Sequence, residues 1–570
     1  MKKALKILSI LISLMMTISS LIPFIVPSAQ KVEAVMKPME GDAYSFDDSN
    51  GIVLHDPTLF KSEDGVYYLY GSHMTSAKSN DLINWKTISS GVYDSNRTLV
   101  KEGSTVRETL AEPLSWCDAA QTQFGTAEKD WQTNIWASDV FYNKAMGKYC
   151  YYASSSLWGK PQSVIWFAVS DSPEGTFEYQ NCVVYSGFNR QKILGQIRYP
   201  TNYNYTNIPG LIEKGEFTKL QFETQSFFST TGKYSHDYGK APNCIDPALF
   251  YDKDGQLWMS YGSWSGGIYI MPIVEKTGMP DYTKMKNNKE YNIYFGKLIA
   301  STNAENEGSG EGPFIAYDSV GDYYYFFQTY SSLEALGGYN IREYRSKNPD
   351  GPYVDMKGNA ATDMKNTGIK INGNYKFSSN KTAYLSGGHS SCMVDDDGKV
   401  FQAYHTRYND SVGGFHTAVV HQMLRTENGW LAMLPFAYAG ETVNENGYSI
   451  DEIAGEYELV DFSNITSKSD SWNWDDVDKI ISPTQNVTFT KDGRITGLVK
   501  YAGSTFNVNE GSTAISGTWQ SKNGSYYITL TAGDVIYEGV MCKMKDDNGK
   551  TVMAISALGN DNSSIWVVKS

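Results

Sequence analysis

Five short polar motifs recur along the first 440 residues: His55-Asp56-Pro57, Trp136-Ala137-Ser138-Asp139, Ile245-Asp246-Pro247, Glu311-Gly312-Pro313 and Gly388-His389-Ser390. Together they carry four carboxyls (Asp56, Asp139, Asp246, Glu311) and one imidazole (His389). Two carboxyls held in opposite protonation states are what glycosidic-bond hydrolysis requires. One protonates the leaving oxygen and the other activates water. Partial burial and close negative neighbours can hold the two pKa values apart. Taken singly, an Asp before Pro reads as a turn residue, and a Glu beside glycines as a loop residue. The shared register is what gives these residues a common meaning.

Each motif is followed by a turn glycine and then an aromatic strand such as Tyr67-Tyr68-Leu69-Tyr70 or Trp258-Met259-Ser260-Tyr261. From Asp56, Asp139, Asp246, Glu311 and His389 to that glycine the distances are 9, 8, 9, 10 and 9 residues. Strand, glycine turn and alternating strand make a β-hairpin. Five such units in series predict a five-bladed β-propeller over residues 35–445, with the polar heads converging on a central channel. The surplus between Ser186 and Asn243 is expected to cover one face. From about Ile450 the pattern changes to short alternating strands separated by turns such as Lys491-Asp492-Gly493. Residues 446–570 are therefore expected to form a small antiparallel β-barrel or sandwich. The chain is all-β in this reading.

The five heads in order, with Gly262-Ser263-Trp264-Ser265-Gly266-Gly267 and Gly338-Tyr339-Asn340-Ile341-Arg342, resemble glycoside hydrolase family 43, and within it the larger, two-domain endo-α-1,5-L-arabinanases. The resemblance covers about residues 50–440, and the C-terminal part resembles the accessory domain of those members. It implies an inverting enzyme in which Asp56 is the general base, Glu311 the general acid, and Asp246 a tuner of the acid's pKa that also orients the sugar. An inverting pair stands about 6.5–9.5 Å apart to admit a water. The resemblance places substrate contacts at Asn243, Cys244, Ile245, Asp246, Ser263, Trp264, Ser265, Trp158 and Gly159. Trp158 stands where Phe is usual. It implies a metal ion at His389, usually calcium. Imidazole is a poor ligand for so hard a cation, so a largely hydrated ion that offsets the carboxylates is expected. Asp139 has no catalytic counterpart and is expected to be structural; His405 and His421 are expected to be packed or hydrogen-bonded.

Composition agrees with a neutral ligand. The net charge of −14 argues against nucleic acid, an anionic membrane or a polyanionic substrate. The 41 Tyr and 13 Trp suit β-structure with broad aromatic surfaces. Lys2, Lys3 and Lys6 ahead of the apolar run 7–26, with Val32-Glu33-Ala34 behind it, are expected to form a signal peptide over residues 1–34. A retained anchor is the alternative, and Ser and Pro interrupt the run. The expected product is a secreted, extracellular monomer acting on arabinan and arabino-oligosaccharides. The six cysteines lack a CxxC, which disfavours structural zinc, and read mostly as small buried hydrophobes. Within the family, an exo-acting α-L-arabinofuranosidase or a β-xylosidase is the alternative. The fructan-cleaving propellers would need Arg-Asp-Pro and Glu-Cys motifs, which are missing. A propeller lectin would repeat its contact residues in every blade, whereas these heads differ.

Overall fold

A computed structural model describes residues 52–124, 134–159, 162–188, 192–193, 196–197, 202–226, 241–302, 309–408, 415–463, 477–503 and 511–570. The signal peptide expected over residues 1–34 lies outside the described residues. Five antiparallel sheets form the propeller. The first runs Thr58–Lys61, Tyr67–Gly71, Thr75–Ser79 and Lys86–Ser89. The second runs Ile135–Asn143, Lys148–Ser156, Ser163–Ser170 and Glu178–Tyr185. The third is built on Ala248–Tyr251, Leu257–Tyr261 and Ile268–Val274, and the fourth on Glu311–Asp318, Tyr323–Tyr330 and Asn340–Ser346. The fifth contains Tyr384–Val394, Val400–Tyr408 and Thr417–Arg425. Ile52–Val53 pairs with this last strand, Ile52 opposite Ala418, so the first residues of the ring close it on the last blade. Closure leaves no open junction between first and last blades.

The expectation of a propeller followed by a barrel holds. The second unit is a closed eight-stranded barrel running from Gly455–Phe462 to Ser564–Lys569, which pair with each other. Strand alternation explains how it packs. In Gly455–Phe462, Tyr457 and Leu459 face the barrel interior, while Val460 and Phe462 join a cluster with Tyr375, Phe377 and Phe436 of the propeller. Trp566 completes that cluster, its ring edge-on to Tyr375 at 5.0 Å. Backbone bonds reinforce the seam, Lys370 N–H donating to Asn562 C=O at 2.9 Å.

The helices are the part not expected. Ala111–Phe124 is a helix of 14 residues inserted between the first and second blades. A capping box, Thr105 with Glu108, precedes it on the short helix Val106–Thr109. The surplus after Ser186 contributes helices Ile208–Glu213 and Lys219–Glu223, and Ile208 and Phe222 are buried in the main core. All six cysteines are buried, and none is in a disulfide among the described residues. Among the described residues no helix is long and apolar enough to cross a membrane.

Candidate active site

Every blade carries the same irregularity at its innermost strand. Asp56, Ala137, Asp246, Gly312 and His389 all have positive φ, between 46° and 57°. The residue before each pairs with the neighbouring strand, and one extra residue then follows on the inner strand. Trp136 faces Ser154 and Asp139 faces Tyr152; Glu311 faces Thr329 and Phe314 faces Phe327; Gly388 faces His405 and Ser391 faces Ala403. In the first and third blades Ser72 N–H and Gly262 N–H bond the carbonyls of His55 and Ile245. This is a β-bulge, and bulges re-aim side chains. Four of the five positions carry a non-glycine in a left-handed conformation, a strain that concentrates at functional sites.

The bulge corrects the register read from sequence. Asp139 lies two residues beyond the left-handed Ala137, and Glu311 lies one residue before Gly312. Asp139 therefore does not reach the channel. It is buried, and its Oδ2 accepts from Leu249 N–H, tying the second blade to the third, the structural role expected of it. Glu311 does reach the channel, from the preceding position of its bulge.

Asp56, Asp246, Glu311 and His389 line one cavity of about 540 Å³. Asn243, Ile245, Ser263, Trp264, Ser265, Trp158 and Gly159 line it too. Cys244 does not. Its side chain is fully buried in the core behind the cleft, because alternation turns it away while Asn243 and Ile245 face the cavity. Trp158 is 61% exposed at the rim, edge-on to Trp136 at 5.8 Å. Trp136, His55, His73, Asn134, Leu157 and Leu333 also line the cavity and were not foreseen. Trp136 and His55 could have been found, since they share with Glu311 and Ile245 the position just before the left-handed residue.

The two candidate catalytic carboxyls have opposite surroundings. Asp56 Oδ1 lies 3.0 Å from His389 Nδ1 and 3.0 Å from His55 Nε2. Its Oδ2 accepts from Ser72 Oγ, which in turn accepts from Ala137 N–H at 2.8 Å. Burial alone would raise the Asp56 carboxyl, but the charge of His389 holds it well below the ordinary carboxylate range. Glu311 Oε2 accepts from the Trp264 indole at 2.6 Å and from Ser263 Oγ at 3.0 Å, and Oε1 accepts from Tyr339 OH. Burial raises Glu311 despite these donors. Asp246, whose Oδ2 accepts from Gly312 N–H at 3.2 Å, is raised to about 7 by burial, with Glu311 and Asp56 adding to the effect. The site thus keeps Asp56 ionised and favours a proton on Glu311.

The local chain explains these positions. Trp264 and Ser265 both have positive φ, 49° and 42°, and Trp264 N–H donates to Gly310 C=O at 2.8 Å. That strained turn presents the indole to Glu311. The glycines around it are required by space. A Cβ on Gly266 would lie 2.3 Å from Ala241 C=O, and one on Gly262 2.5 Å from Gly267 C=O.

Two histidine arrangements bear on metal binding. His389 is committed through Nδ1 to Asp56, so Nε2 is its one ligand position. A single nitrogen beside three carboxylates fits a largely hydrated hard cation and not a protein-caged one. Without such an ion, burial opposes protonation of His389, yet Asp56 raises its pKa to about 9, and the imidazolium itself offsets the carboxylates. Among the described residues, His55, His405 and His416 also bring ring nitrogens within 4.8 Å of one another. Their bonds argue against a metal there. His405 Nδ1 accepts from Asp56 N–H at 3.1 Å, and His416 Nε2 faces Arg407, which can only donate. With His405 Nδ1 and His416 Nε2 accepting, the second nitrogen of each of these two neutral rings carries the proton and offers no lone pair.

With this geometry in place, comparison with known proteins is decisive. The sequence pattern of the glycosyl hydrolases family 43 matches residues 203–431, and that of a C-terminal lipocalin-like domain found with it matches residues 435–567. The chain is 33% identical to an extracellular endo-α-(1→5)-L-arabinanase of Thermotoga petrophila, over 91% of this chain and 93% of that one. The chain belongs to glycoside hydrolase family 43. It is also 31% identical to extracellular endo-α-(1→5)-L-arabinanase 2 of Bacillus subtilis, over 90% and 92% of the two chains. The crystal structure of the Thermotoga petrophila RKU-1 endo-1,5-α-L-arabinanase superposes with a TM-score of 0.69 at 30% identity, covering 93% of this family 43 chain and all of the other.

Proposed function

We propose that this family 43 protein is a secreted, inverting endo-α-1,5-L-arabinanase. Asp56, ionised and held by His389 and Ser72, removes a proton from a water that attacks the anomeric carbon. Glu311, protonated, gives its proton to the departing glycosidic oxygen. Both groups act at once from opposite sides of the sugar, so configuration inverts. Asp246 orients the ring and, sharing the cavity with Glu311, tunes the pKa of the acid. Trp158 and Trp136 offer flat apolar faces to neighbouring sugars, and the acidic protein meets an uncharged polymer. The opposite protonation preferences of Asp56 and Glu311 within one cavity carry this reading, and the names of the relatives above supply the arabinan specificity.

We propose further that His389 Nε2 holds a hydrated calcium ion. When bound, the ion supplies positive charge beside the three carboxylates. Chelation should lower activity or thermal stability and added calcium should restore it; full indifference with no metal in the protein would count against the ion.

A product time course on linear arabinan tests the main reading. Endo action releases a spread of oligosaccharides from the first minutes. Monomer as the sole early product would make the enzyme exo-acting, and inactivity on arabinan with activity on xylan would move it elsewhere in the family. NMR of the first product formed should show the inverted anomer.

A further inference from the structure

A second cavity, of about 350 Å³, lies at one end of the C-terminal barrel. Small eight-stranded barrels are either filled by their own side chains or hold one small ligand. This barrel is filled towards one end and hollow towards the other. Towards one end its interior is packed with Phe489, Trp519, Leu530, Met541 and Ile555. Towards the other the inward row Tyr457, Leu459 ends on a carboxylate, Asp461, opposite Ile565. Asp461 Oδ1 is shielded from solvent and has no hydrogen-bond partner among the described residues. An apolar row has no packing reason to end on an unsatisfied carboxylate, so the feature calls for a ligand donor. Gln485, Tyr501, Tyr537 and Asp561 line the same space beside apolar Leu498. The cavity reaches solvent next to Gly533 and Asp534, both exposed.

We propose that this cavity is a second saccharide site, which takes the end of an arabino-oligosaccharide or a free pentose while the propeller cleft holds the chain being cut. A neutral polyol suits the lining. Its hydroxyls donate to Asp461 and Asp561, and its C–H face lies against Leu498 and a tyrosine ring. A fatty chain would leave the carboxylates unpaired. A cation would be repelled by Lys500, which lines the cavity, and by Lys370 close to Asp461. Burial raises the Asp461 carboxyl to about 7, and the same effect lowers Lys370 to about 7, so the region disfavours net charge. The choice of arabinose units rests on the arabinanase reading; the existence of the site does not.

The test is calorimetric titration of arabinotriose into the full-length Glu311→Gln protein, where hydrolysis is blocked. Two sites are expected. Adding Asp461→Leu should weaken one of them at least ~tenfold, while Trp264→Ala weakens the other. Ala532→Trp, at the cavity rim, should act like Asp461→Leu and covers the case in which that variant does not fold. A single site lost with Trp264→Ala and untouched by both barrel variants would overturn the proposal. Binding lost with Asp461→Leu but absent from the cleft would sink the arabinan reading and leave the barrel site standing.

Discussion

Tyr339→Phe isolates one hydrogen bond of the acid. The Tyr339 hydroxyl donates to Glu311 Oε1, and the ring stacks on His405 with centroids 5.6 Å apart and planes 14° from parallel. Phe keeps the stack and removes only the donor. A hydrogen bond to a charged group is worth about 1.5–3 kcal/mol, against about 1 kcal/mol for a neutral one. The ionised form of Glu311 therefore loses more than the protonated form, by about 1.4 kcal/mol. That difference is about one pKa unit, upward. In the proposed mechanism turnover needs Glu311 protonated, so activity falls as pH rises through its pKa. The alkaline limb of kcat against pH on linear arabinan should move up by about one unit, and the acid limb should stay. An alkaline limb that does not move, or moves down, would show that Glu311 is not the group whose deprotonation ends activity.

Ser72→Ala removes the donor to Asp56 Oδ2 and leaves Ala137 N–H without its acceptor. The Asp56 pKa should rise, so the acid limb should move towards neutrality, and the thermal midpoint should fall by the equivalent of about 1–3 kcal/mol. Gly312→Ala places a Cβ 3.0 Å from the His389 ring on a backbone with φ of +57°; kcat/KM should drop at least ~tenfold with the circular dichroism spectrum unchanged. Glu343, fully buried, is raised by burial to about 8, and its Oε2 has no partner. The unfolded chain releases this proton from about pH 4.3 upward, while the folded protein holds it to about 8. Stability from the neutral form is therefore lost across that window, by at most about 1.4 kcal/mol per pH unit. Glu343→Gln should match the parent's melting temperature at pH 4 and exceed it increasingly up to pH 8; a constant offset would refute this.

Much of the site was legible because the propeller repeats a hairpin whose turn glycine and aromatic strand announce themselves in the sequence. Asp56, Asp246 and His389 fall at the left-handed position, nine residues before that glycine in each case. Glu311 and Asp139 depart from that position. A bulge adds a residue without changing the alternation on either side, so spacing alone places a head residue only to within one or two positions. Ser72 and His405 were missed as supports of the base because their effect is through space. Ser72 is 16 residues from Asp56 and His405 is 349. The helix Ala111–Phe124 was missed because a strand-dominated reading gave no weight to the capping box of Thr105 and Glu108 just ahead of it.

The division of labour among the carboxyls follows from which blades surround each one. The first and fifth blades surround Asp56 with His55, His389 and His405, so its ionised form is paired. The third and fourth blades surround Glu311 with an indole, two hydroxyls and dense packing, so burial outweighs the donors and the proton is kept. Asp246 sits between them, bonded to the backbone of the glycine that follows Glu311. The second blade supplies no titratable group at its bulge. Its Ala137 instead bonds the serine that holds Asp56, and its Trp136 lines the cavity. One repeated backbone device therefore supplies the proposed base, acid and platform, because each blade fills the same bulge with a different side chain. A binding propeller with equivalent blades would have no use for that asymmetry, whereas an acid–base pair cannot work without it.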